Sequence, residues 1–313
     1  MTLTELRYIV ALARERHFGR AAKKCFVSQP TLSVAIKKLE AELGVTLFER
    51  QTSDITVTPL GARIIEQANR VLEETAAIKE IAAQGKDQLA TPLRVGAIYT
   101  VGPYILPQLI PIMHKGAPRM PLLLQENYTV RLGELLRNGE LDVAILSLPY
   151  ADTGILTQAV YDEPFRVVMP AHHAWSKKAK ISADQLCNET LLLLGAGNCF
   201  RDQVLQTCAR MQRRGASNMQ QALEGSSLET IRHMVASGTG ITVLPSTAAE
   251  SKSAASPLLA VKPFAEPQPS RRIALAWRAS FPRSRAIEAL RLAVLACKLP
   301  GVTLLPHASD TSA

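Results

Sequence analysis

The sequence lacks the features that mark secreted and membrane-spanning proteins. Its first residues, MTLTEL, contain no basic segment followed by a long apolar run, so we expect no signal peptide. The chain contains no run of about 18 apolar residues, the length needed to cross a membrane. The five cysteines are an odd number, which argues against a secreted disulfide framework. We therefore expect a cytoplasmic protein in which any disulfide is transient and regulatory.

The sequence also lacks the common signatures of enzymes and metal sites. It contains no Gly-rich phosphate loop and no HExxH, GxSxG or CxxC motif. Three cysteines, Cys187, Cys199 and Cys208, and the pair His172 and His173 do not have the spacing of metal ligands. We therefore predict a protein without enzymatic activity, bound metal or cofactor.

The chain is long enough for about two domains at roughly 150 residues each. Of its 313 residues, 47% are hydrophobic and 20% are charged, so we expect a sizeable core. The net charge is +9, and the basic excess is denser at the N-terminus, where residues 1–63 hold ten basic and six acidic side chains. This distribution favours a polyanionic partner for the N-terminal region.

Residues 20–44 carry the pattern of two short helices joined by a tight turn. The first helix covers residues 20–27, and Ser28 is positioned to cap the second. Pro30 suits the first turn of that helix because the N–H that proline lacks would have no partner there. Gly44 is a natural end for the helix. Such a pair is typical of a helix-turn-helix that binds DNA, although the periodicity also fits a plain three-helix bundle.

Polar side chains at the start of the second helix suit a DNA interface. The amide of Gln29 and the hydroxyls of Thr31 and Ser33 can hydrogen-bond base edges, and nearby hydroxyl and ammonium groups can hold phosphates. Residues 47–58 are predicted to form a two-stranded wing, which places Arg50 for a backbone or minor-groove contact. The predicted DNA-contact residues are Ser28, Gln29, Pro30, Thr31, Ser33, Lys37, Lys38 and Arg50.

Residues 59–85 are predicted to form one long helix. Its seam follows a heptad spacing over about three repeats, which is barely enough for a coiled coil. The seam consists of Ile64, Ala68, Val71, Thr75, Ile78 and Ala82. The helix either pairs with a second subunit or docks on its own domain, and we interpret residues 85–92 as a hinge.

From Leu93 onward, short apolar runs alternate with helical segments. The predicted strands include 93–98, 122–125, 143–148, 166–169, 191–194, 241–244 and 273–277. Strands separated by helices predict a parallel, doubly wound α/β sheet, in which ligands collect at the carboxyl ends of the strands. Thr100, after the first strand, and Thr129, at the start of a helix, are therefore candidate ligand contacts. Each has a helix cap or a turn as its alternative role.

The stretch GAGNCFRDQVLQTC, residues 195–208, is the most informative part of the chain. Asn198 is a good N-cap, which puts Cys199 at the first helical position, where the helix dipole and Arg201 favour a thiolate. In one continuous helix, Cys199 and Cys208 would face opposite directions roughly 13 Å apart, whereas a disulfide tolerates at most about 7 Å. A bond between them would require the helix to unwind. Spacing alone favours two unrelated cysteines that pack as small hydrophobes.

The N-terminal region resembles the DNA-binding domain of LysR-type transcriptional regulators. The resemblance rests on FGRAAKKCFVSQPTLSVAIKKLEAELGVTLFER followed by TPLG, and it covers nearly all of residues 2–62. It implies that the 28–38 helix enters the major groove of DNA. The implied domains are a winged helix-turn-helix at 1–58, a linker and dimerisation helix with its hinge at 59–88, an effector domain at 89–300 and a tail at 301–313. The effector domain is expected to have a periplasmic-binding-protein-like doubly wound α/β fold. Its subdomain I covers about 92–162 and 269–300, and its subdomain II covers about 163–268.

The cysteine stretch resembles the OxyR branch of this family, which senses hydrogen peroxide. The resemblance rests on NCFRDQVLQTC, with GAIYTVGPYILP upstream and SSLETIRHMVASGTGITVLP downstream, and it covers essentially the whole chain. It implies that Cys199 is the peroxidatic and Cys208 the resolving cysteine, which overrides the interpretation from spacing. The implied peroxide-binding and supporting residues are Thr100, Thr129, Asn198, Arg201, Asp202 and Arg271. Asn198 stands where this branch commonly has His, and an amide cannot carry a proton near neutral pH.

The resemblance implies a transcription factor that activates or represses oxidative-stress genes through a reversible Cys199–Cys208 disulfide. Its implied partners are promoter operator DNA, hydrogen peroxide, further copies of the chain in a homodimer or homotetramer, RNA polymerase and a cellular thiol reductant, with no membrane contact. One alternative is a LysR-type regulator that responds to a small organic anion, with incidental cysteines. The other is a thiol peroxidase, which would turn over with a reductant and would not need residues 1–62.

Overall fold

The chain folds into two compact units, residues 1–85 and 86–313. The computed structural model describes residues 1–50, 55–83, 88–207, 223–251 and 256–305. No helix within these ranges has both the length and the apolar composition needed to cross a membrane.

The N-terminal unit is a three-helix core with a two-stranded wing. Its elements are α1 (Leu3–Glu15), α2 (Phe18–Lys24), α3 (Gln29–Leu43), β1 (Phe48–Arg50), β2 (Ile55–Val57) and α4 (Pro59–Ala83). The helices enclose apolar side chains such as Ile9, Leu12 and Leu39, none of which reaches solvent. β1 and β2 pair antiparallel. This arrangement confirms the winged helix-turn-helix that the sequence predicts.

α4 packs on this unit mainly through its first half. Ile65 and Ala68 are buried against the helical core, whereas Val71 and Ile78 expose 37% and 66% of their surface. The predicted heptad seam is therefore uncovered in its second half, where the side chain of Ala82 lies outside the described residues. Docking on its own unit accounts for only the first part of the seam.

The second unit is built around one large sheet. Its elements are β3 (Leu93–Ile98), α5 (Gly102–Gly116), β4 (Leu122–Asn127), α6 (Thr129–Arg137), β5 (Val143–Leu148), β6 (Ile155–Pro170), β7 (Leu191–Leu194), α7 (Cys199–Thr207), β8 (Leu223–Gly225), α8 (Leu228–Ala236), β9 (Ile241–Pro245), α9 (Ser246–Ala249), β10 (Leu259–Pro263), β11 (Ser270–Arg278), α10 (Ser284–Ala296) and β12 (Thr303–Leu304). The strand order is β4-β3-β5-β11-β6-β9-β7-β8, and β10 and β12 also pair with β6.

The sheet is parallel at its two ends and antiparallel in its middle. β4, β3 and β5 run parallel, as do β8, β7 and β9, whereas β6 and β11 are antiparallel to the strands beside them. The prediction of a parallel sheet was therefore wrong for the centre, and the predicted strand 166–169 is the end of the 16-residue β6. The first half of β6 mixes exposed and buried positions, so it lacks the continuous apolar run of a doubly covered strand.

Two hydrophobic cores stabilise this unit, and they meet at the start of α7. One core is built from β3, β5, α5, α6 and α10, and the other includes β7, β9, α7 and α8. Cys199 packs against the first core, whereas the next residue, Phe200, is buried in the second. The first turn of α7 therefore lies between the cores, beside the carboxyl ends of β4 and β5. Doubly wound sheets bind their ligands at such strand ends.

Candidate redox site and DNA-binding surface

Cys199 is the first residue of α7, as its position behind Asn198 predicts. Its side chain is half-buried, and the hydroxyl of Thr129 donates to Sγ over 3.6 Å. Thr129 is itself the first residue of α6. The N-terminal residues of two helices thus meet at the sulfur, where the partial positive charges of both helix ends suit an anion.

A glycine-rich turn sets the position of Cys199. The side-chain amide of Asn198 donates to the Gly195 carbonyl over 3.0 Å, and the Asn198 carbonyl accepts from the Arg201 N–H at 3.0 Å. Gly197 has φ +91°, a left-handed conformation that glycine adopts without a steric penalty. Asn198 therefore contributes to the turn and the helix start through hydrogen bonds that need no titratable group.

Arg271 contacts both Thr100 and Phe200, the second residue of α7. The Arg271 guanidinium donates to Thr100 Oγ1 over 2.8 Å and to the Thr100 carbonyl over 2.9 Å. It also lies over the Phe200 ring, with 5.1 Å from Cζ to the ring centroid. Thr100 and Arg271 are both 3% exposed. The sequence prediction that these two residues share a site thus corresponds to a direct contact, although their role in peroxide binding stays a prediction.

Glu163 is a member of this cluster that sequence reasoning missed. Its Oε2 accepts from Arg271 Nε over 2.8 Å, and neither side chain of this ion pair is exposed. Its Oε1 accepts from the Thr247 N–H at 3.0 Å and from the Thr247 hydroxyl. A buried charge is tolerable only when it is paired and hydrogen-bonded, and this pair meets both conditions. Nothing in the sequence distinguishes Glu163 from the adjacent Asp162, so no local signal indicated its burial.

Arg201 and Asp202 lie in the first turn of α7, and their support of the Cys199 thiolate stays a prediction. Arg201 Nη1 donates to the Leu194 carbonyl over 2.7 Å and to Glu224 Oε1 over 2.5 Å, so it ties α7 to β7 and β8. Asp202 is exposed. Among the hydrogen bonds of the described residues, none joins either side chain to Cys199.

Gln203 is a second residue that sequence reasoning missed. Its Nε2 donates to Ser147 Oγ over 2.9 Å, which links the middle of α7 to the carboxyl end of β5. Its Oε1 is buried and has no hydrogen-bond partner within the described part of the chain. Cys208 follows the last described residue of α7, so it and its predicted pairing with Cys199 lie outside the described residues.

The DNA-contact residues predicted on α3 form one polar surface at its N-terminus. Ser28 Oγ accepts from the Thr31 N–H at 3.3 Å and lies 2.8 Å from Thr31 Oγ1, which confirms Ser28 as the helix cap. Six of the predicted residues are exposed, and Ser33 is half-buried. The exposed residues are Ser28, Gln29, Pro30, Thr31, Lys37 and Lys38. Arg50 ends β1, and its side chain lies outside the described residues.

Comparisons with known proteins account for both units. The bacterial regulatory helix-turn-helix model of the lysR family matches residues 3–62, and the LysR substrate binding domain matches residues 86–296. The chain belongs to the LysR family. Within this family it is 40% identical over 282 residues to a hydrogen peroxide-inducible genes activator of Dickeya chrysanthemi, covering 90% of this chain and 91% of the relative.

Solved structures place this LysR-family chain beside OxyR proteins. A full-length OxyR variant from Pseudomonas aeruginosa has a TM-score of 0.79 and 53% identity, covering 98% of each chain. A hydrogen peroxide-bound OxyR mutant from Corynebacterium glutamicum has a TM-score of 0.64 and 34% identity, covering 94% of this chain and 91% of that one. These likenesses confirm the predicted family and its OxyR branch. In the described ranges, no three His, Cys, Asp or Glu side chains are grouped to bind a metal ion.

Proposed function

We propose that this LysR-family regulator senses hydrogen peroxide through Cys199 and passes the signal to DNA by forming a Cys199–Cys208 disulfide. The observation that carries the proposal is the placement of the Cys199 thiol. It is half-buried, begins a helix, accepts a hydrogen bond from Thr129 and lies between two cores. The full-length likeness to peroxide-inducible activators and to a peroxide-bound OxyR supports the choice of oxidant.

The chemistry uses two displacement steps at sulfur. The Cys199 thiolate attacks one oxygen of hydrogen peroxide, the O–O bond breaks, and the departing hydroxide takes a proton and leaves as water. The product is a sulfenic acid on Cys199. The Cys208 thiolate then attacks that sulfur, an S–S bond forms, and the hydroxyl leaves as a second water with a proton. A cellular thiol reductant resets the disulfide.

The side chains around the sulfur suit the first step. Thr129 can donate a hydrogen bond to the bound peroxide or to the sulfur, and Thr100 Oγ1, which accepts from Arg271, can donate its own proton to a peroxide oxygen. Asn198 replaces a titratable histidine with an amide, so proton transfer in this chain would depend on the peroxide, the thiols and water. Oxidation by this route would vary less with pH near neutrality than in a relative with histidine at this position.

Disulfide formation would change the shape of the sensor. Nine residues of helix hold their ends roughly 13 Å apart, whereas the Cα atoms of a disulfide lie within about 7 Å, so α7 must unwind. The Gln203–Ser147 hydrogen bond and the Arg201 bonds to Leu194 and Glu224 hold α7 as a helix in the described form. Unwinding would release these contacts and reshape the surface between the cores.

The N-terminal unit would convert that change into transcriptional output. The polar surface at the start of α3 suits the major groove of operator DNA, and the uncovered seam of α4 suits pairing with a second copy in a homodimer or homotetramer. RNA polymerase is the expected partner for activation. The domain limits that we propose are those expected from the sequence, with the linker at 59–88 and the sensor at 89–300.

The test is oxidation of the purified, reduced full-length protein by micromolar hydrogen peroxide. Thiol blocking and mass spectrometry should detect a stoichiometric Cys199–Cys208 disulfide, which Cys199→Ser abolishes and Cys208→Ser replaces with a sulfenic acid. Cys187→Ser is the matched control and should oxidise like wild type, since Cys187 packs in the second core.

The other outcomes separate the alternatives. If both thiols stay free, the peroxide proposal is wrong and a small organic anion becomes the leading effector. Many turnovers with a thiol reductant by a fragment that lacks residues 1–62 would favour a peroxidase over a regulator.

A further inference from the structure

Two tyrosines lie next to the two threonines of the candidate site. Tyr99 immediately precedes Thr100, and Tyr128 immediately precedes Thr129, the donor to Cys199. The two rings meet edge to face, with 5.3 Å between their centroids and 75° between their planes. This geometry is favourable for an aromatic pair, so the rings brace one another and also hold the two threonine-bearing segments together.

Tyr128 also lies beside the turn that carries Cys199. Two ring carbons of Tyr128 lie 3.9 Å from where a Cβ of Gly197 would be, an ordinary van der Waals distance. The left-handed Gly197 is two residues before Cys199. The tyrosine pair is therefore covalently continuous with the two threonine-bearing segments, and Tyr128 lies beside the turn that precedes Cys199.

The exposure of the rings places them on the outside of the site. Tyr99 and Tyr128 each expose 43% of their surface, whereas Thr100 behind them is 3% exposed and Cys199 is half-buried. The rings are therefore more accessible to solvent than the threonine hydroxyl and the thiol near them. The backbone of each tyrosine is fixed by regular structure, since Tyr99 directly follows β3 and Tyr128 is the cap residue of α6, and the rings pack on each other.

We propose that Tyr99 and Tyr128 form a rim that selects the oxidant by size, admitting hydrogen peroxide and hindering hydroperoxides with a bulky organic group. The inference rests on the proposed function, in which Cys199 is the oxidised thiol. Hydrogen peroxide needs no more room than two oxygen atoms, whereas the aryl-substituted carbon of cumene hydroperoxide would have to displace a ring. The reaction at sulfur is the same for both oxidants, with water or the corresponding alcohol as leaving group.

The experiment compares the rates at which hydrogen peroxide and cumene hydroperoxide consume the Cys199 thiol in the full-length protein. The ratio of interest is the hydrogen peroxide rate divided by the cumene hydroperoxide rate. Tyr128→Ala and Tyr99→Ala should each lower this ratio by about tenfold, mainly by raising the cumene hydroperoxide rate. Tyr128→Phe keeps the ring and should leave the ratio unchanged. Val130→Ala is the matched control, because Val130 is 73% exposed on the same helix.

The possible outcomes distinguish failure of the proposed rim from failure of the proposed peroxide sensing. A wild-type ratio in both alanine variants, or an equal fall in both rates, would overturn the rim while leaving peroxide sensing intact. Cys199 that does not react with hydrogen peroxide in wild type would overturn the proposed function and the rim together. Two independent alanine positions keep the test decisive if one variant folds poorly.

Discussion

The two sides of the Cys199 site are held in different ways. On one side, Arg271 and Glu163 form an ion pair that is fully buried, and each partner is hydrogen-bonded again by Thr100 or Thr247. On the other side, α7 buries Phe200 and Val204 and is hydrogen-bonded through Arg201 and Gln203, whose Oε1 is buried without a hydrogen-bond partner in the described chain. Rearranging the first side would break a buried ion pair, whereas rearranging the second would break hydrogen bonds and uncover two apolar side chains.

This difference suits a redox switch. A sensor needs a fixed part, which keeps the threonines in position, and a movable part, whose two forms differ by only a few kcal/mol. Shifting an equilibrium from 1:99 to 99:1 takes about 5.5 kcal/mol. Each hydrogen bond that stabilises the helical form of α7 therefore changes the ratio of the two forms appreciably. The buried pair is too costly to separate within such a range, because breaking it leaves a charge without a partner in the core.

The largest expected effect is the loss of stability when the buried Arg271–Glu163 ion pair is broken. Glu163→Ala leaves the Arg271 guanidinium buried without its carboxylate, which should lower the free energy of unfolding of the sensor unit by about 3–5 kcal/mol. Urea denaturation followed by tryptophan fluorescence measures this unit alone, because both tryptophans, Trp175 and Trp277, lie in it.

The neighbouring residue provides the control for this loss. Asp162 also pairs with an arginine, Arg272, over 2.7 Å, but that pair is partly exposed. The hydrogen bond from Arg272 lowers the pKa of Asp162, and solvent screening keeps the net contribution of such a pair to about 0–1 kcal/mol. Equal destabilisation by Glu163→Ala and Asp162→Asn would show that the two sides of the site are not held differently.

A smaller effect concerns the thiol of Cys297, which is buried in the core built from β3, β5, α5, α6 and α10. Burial raises the pKa of Cys297 to about 11, above its value of about 8.5 in an unfolded chain. Because the folded state binds this proton more tightly, the resulting stability is complete below about pH 8.5 and is lost as pH rises to 11. Between pH 8 and pH 11, wild type should therefore lose up to about 3 kcal/mol more stability than Cys297→Ala.

Thiol labelling sharpens the same contrast between Cys297 and Cys199. At pH 8, iodoacetamide should modify Cys199 and leave Cys297 unmodified in the folded protein, as site-resolved mass spectrometry can measure. A parallel loss of stability with pH in wild type and Cys297→Ala, or equal labelling of the two thiols, would show that the burial of Cys297 does not protect its thiol.

The smallest expected effect concerns α7 and its hydrogen bond from Gln203 to Ser147. Ser147→Ala removes the acceptor of Gln203 Nε2, so the helical form of α7 loses about 1 kcal/mol while the unwound form does not. The disulfide midpoint potential should become more negative by about 20 mV, since 30 mV corresponds to about 1.4 kcal/mol for two electrons. Gln206→Ala, on the exposed face of α7, is the control and should leave the potential unchanged. A shift toward a less negative potential would mean that Ser147 stabilises the oxidised form instead.

The predictions that succeeded concern local structure. The N-cap Ser28, the start of α7 at Cys199, the wing and the long α4 all follow from capping residues, glycine positions and apolar spacing within about 30 residues, and the structure has each of them. Interactions between residues that are close in the chain determine where these helices and strands begin and end, so a single sequence is enough to predict them. The family likewise follows from contiguous runs of residues in each of the two units.

The contacts that complete the site could not be read in this way. Arg271 and Glu163 are 108 residues apart, and Gln203 and Ser147 are 56 apart. The first pair forms because β11 lies antiparallel to β6, and the sequence predicted neither that direction nor the full length of β6. Without the strand order, a buried glutamate cannot be distinguished from an exposed one, as the neighbours Asp162 and Glu163 illustrate.

The sequence by itself therefore determined the chemistry that the protein carries: a thiol at a helix start, a second cysteine nine residues on, and a polar helix for DNA. Only the tertiary structure decided which side chains surround that thiol and how firmly each is held. The physical reason is that capping and helix periodicity depend on neighbours in the chain, whereas the burial of a charge and the meeting of two aromatic rings depend on which strands lie side by side.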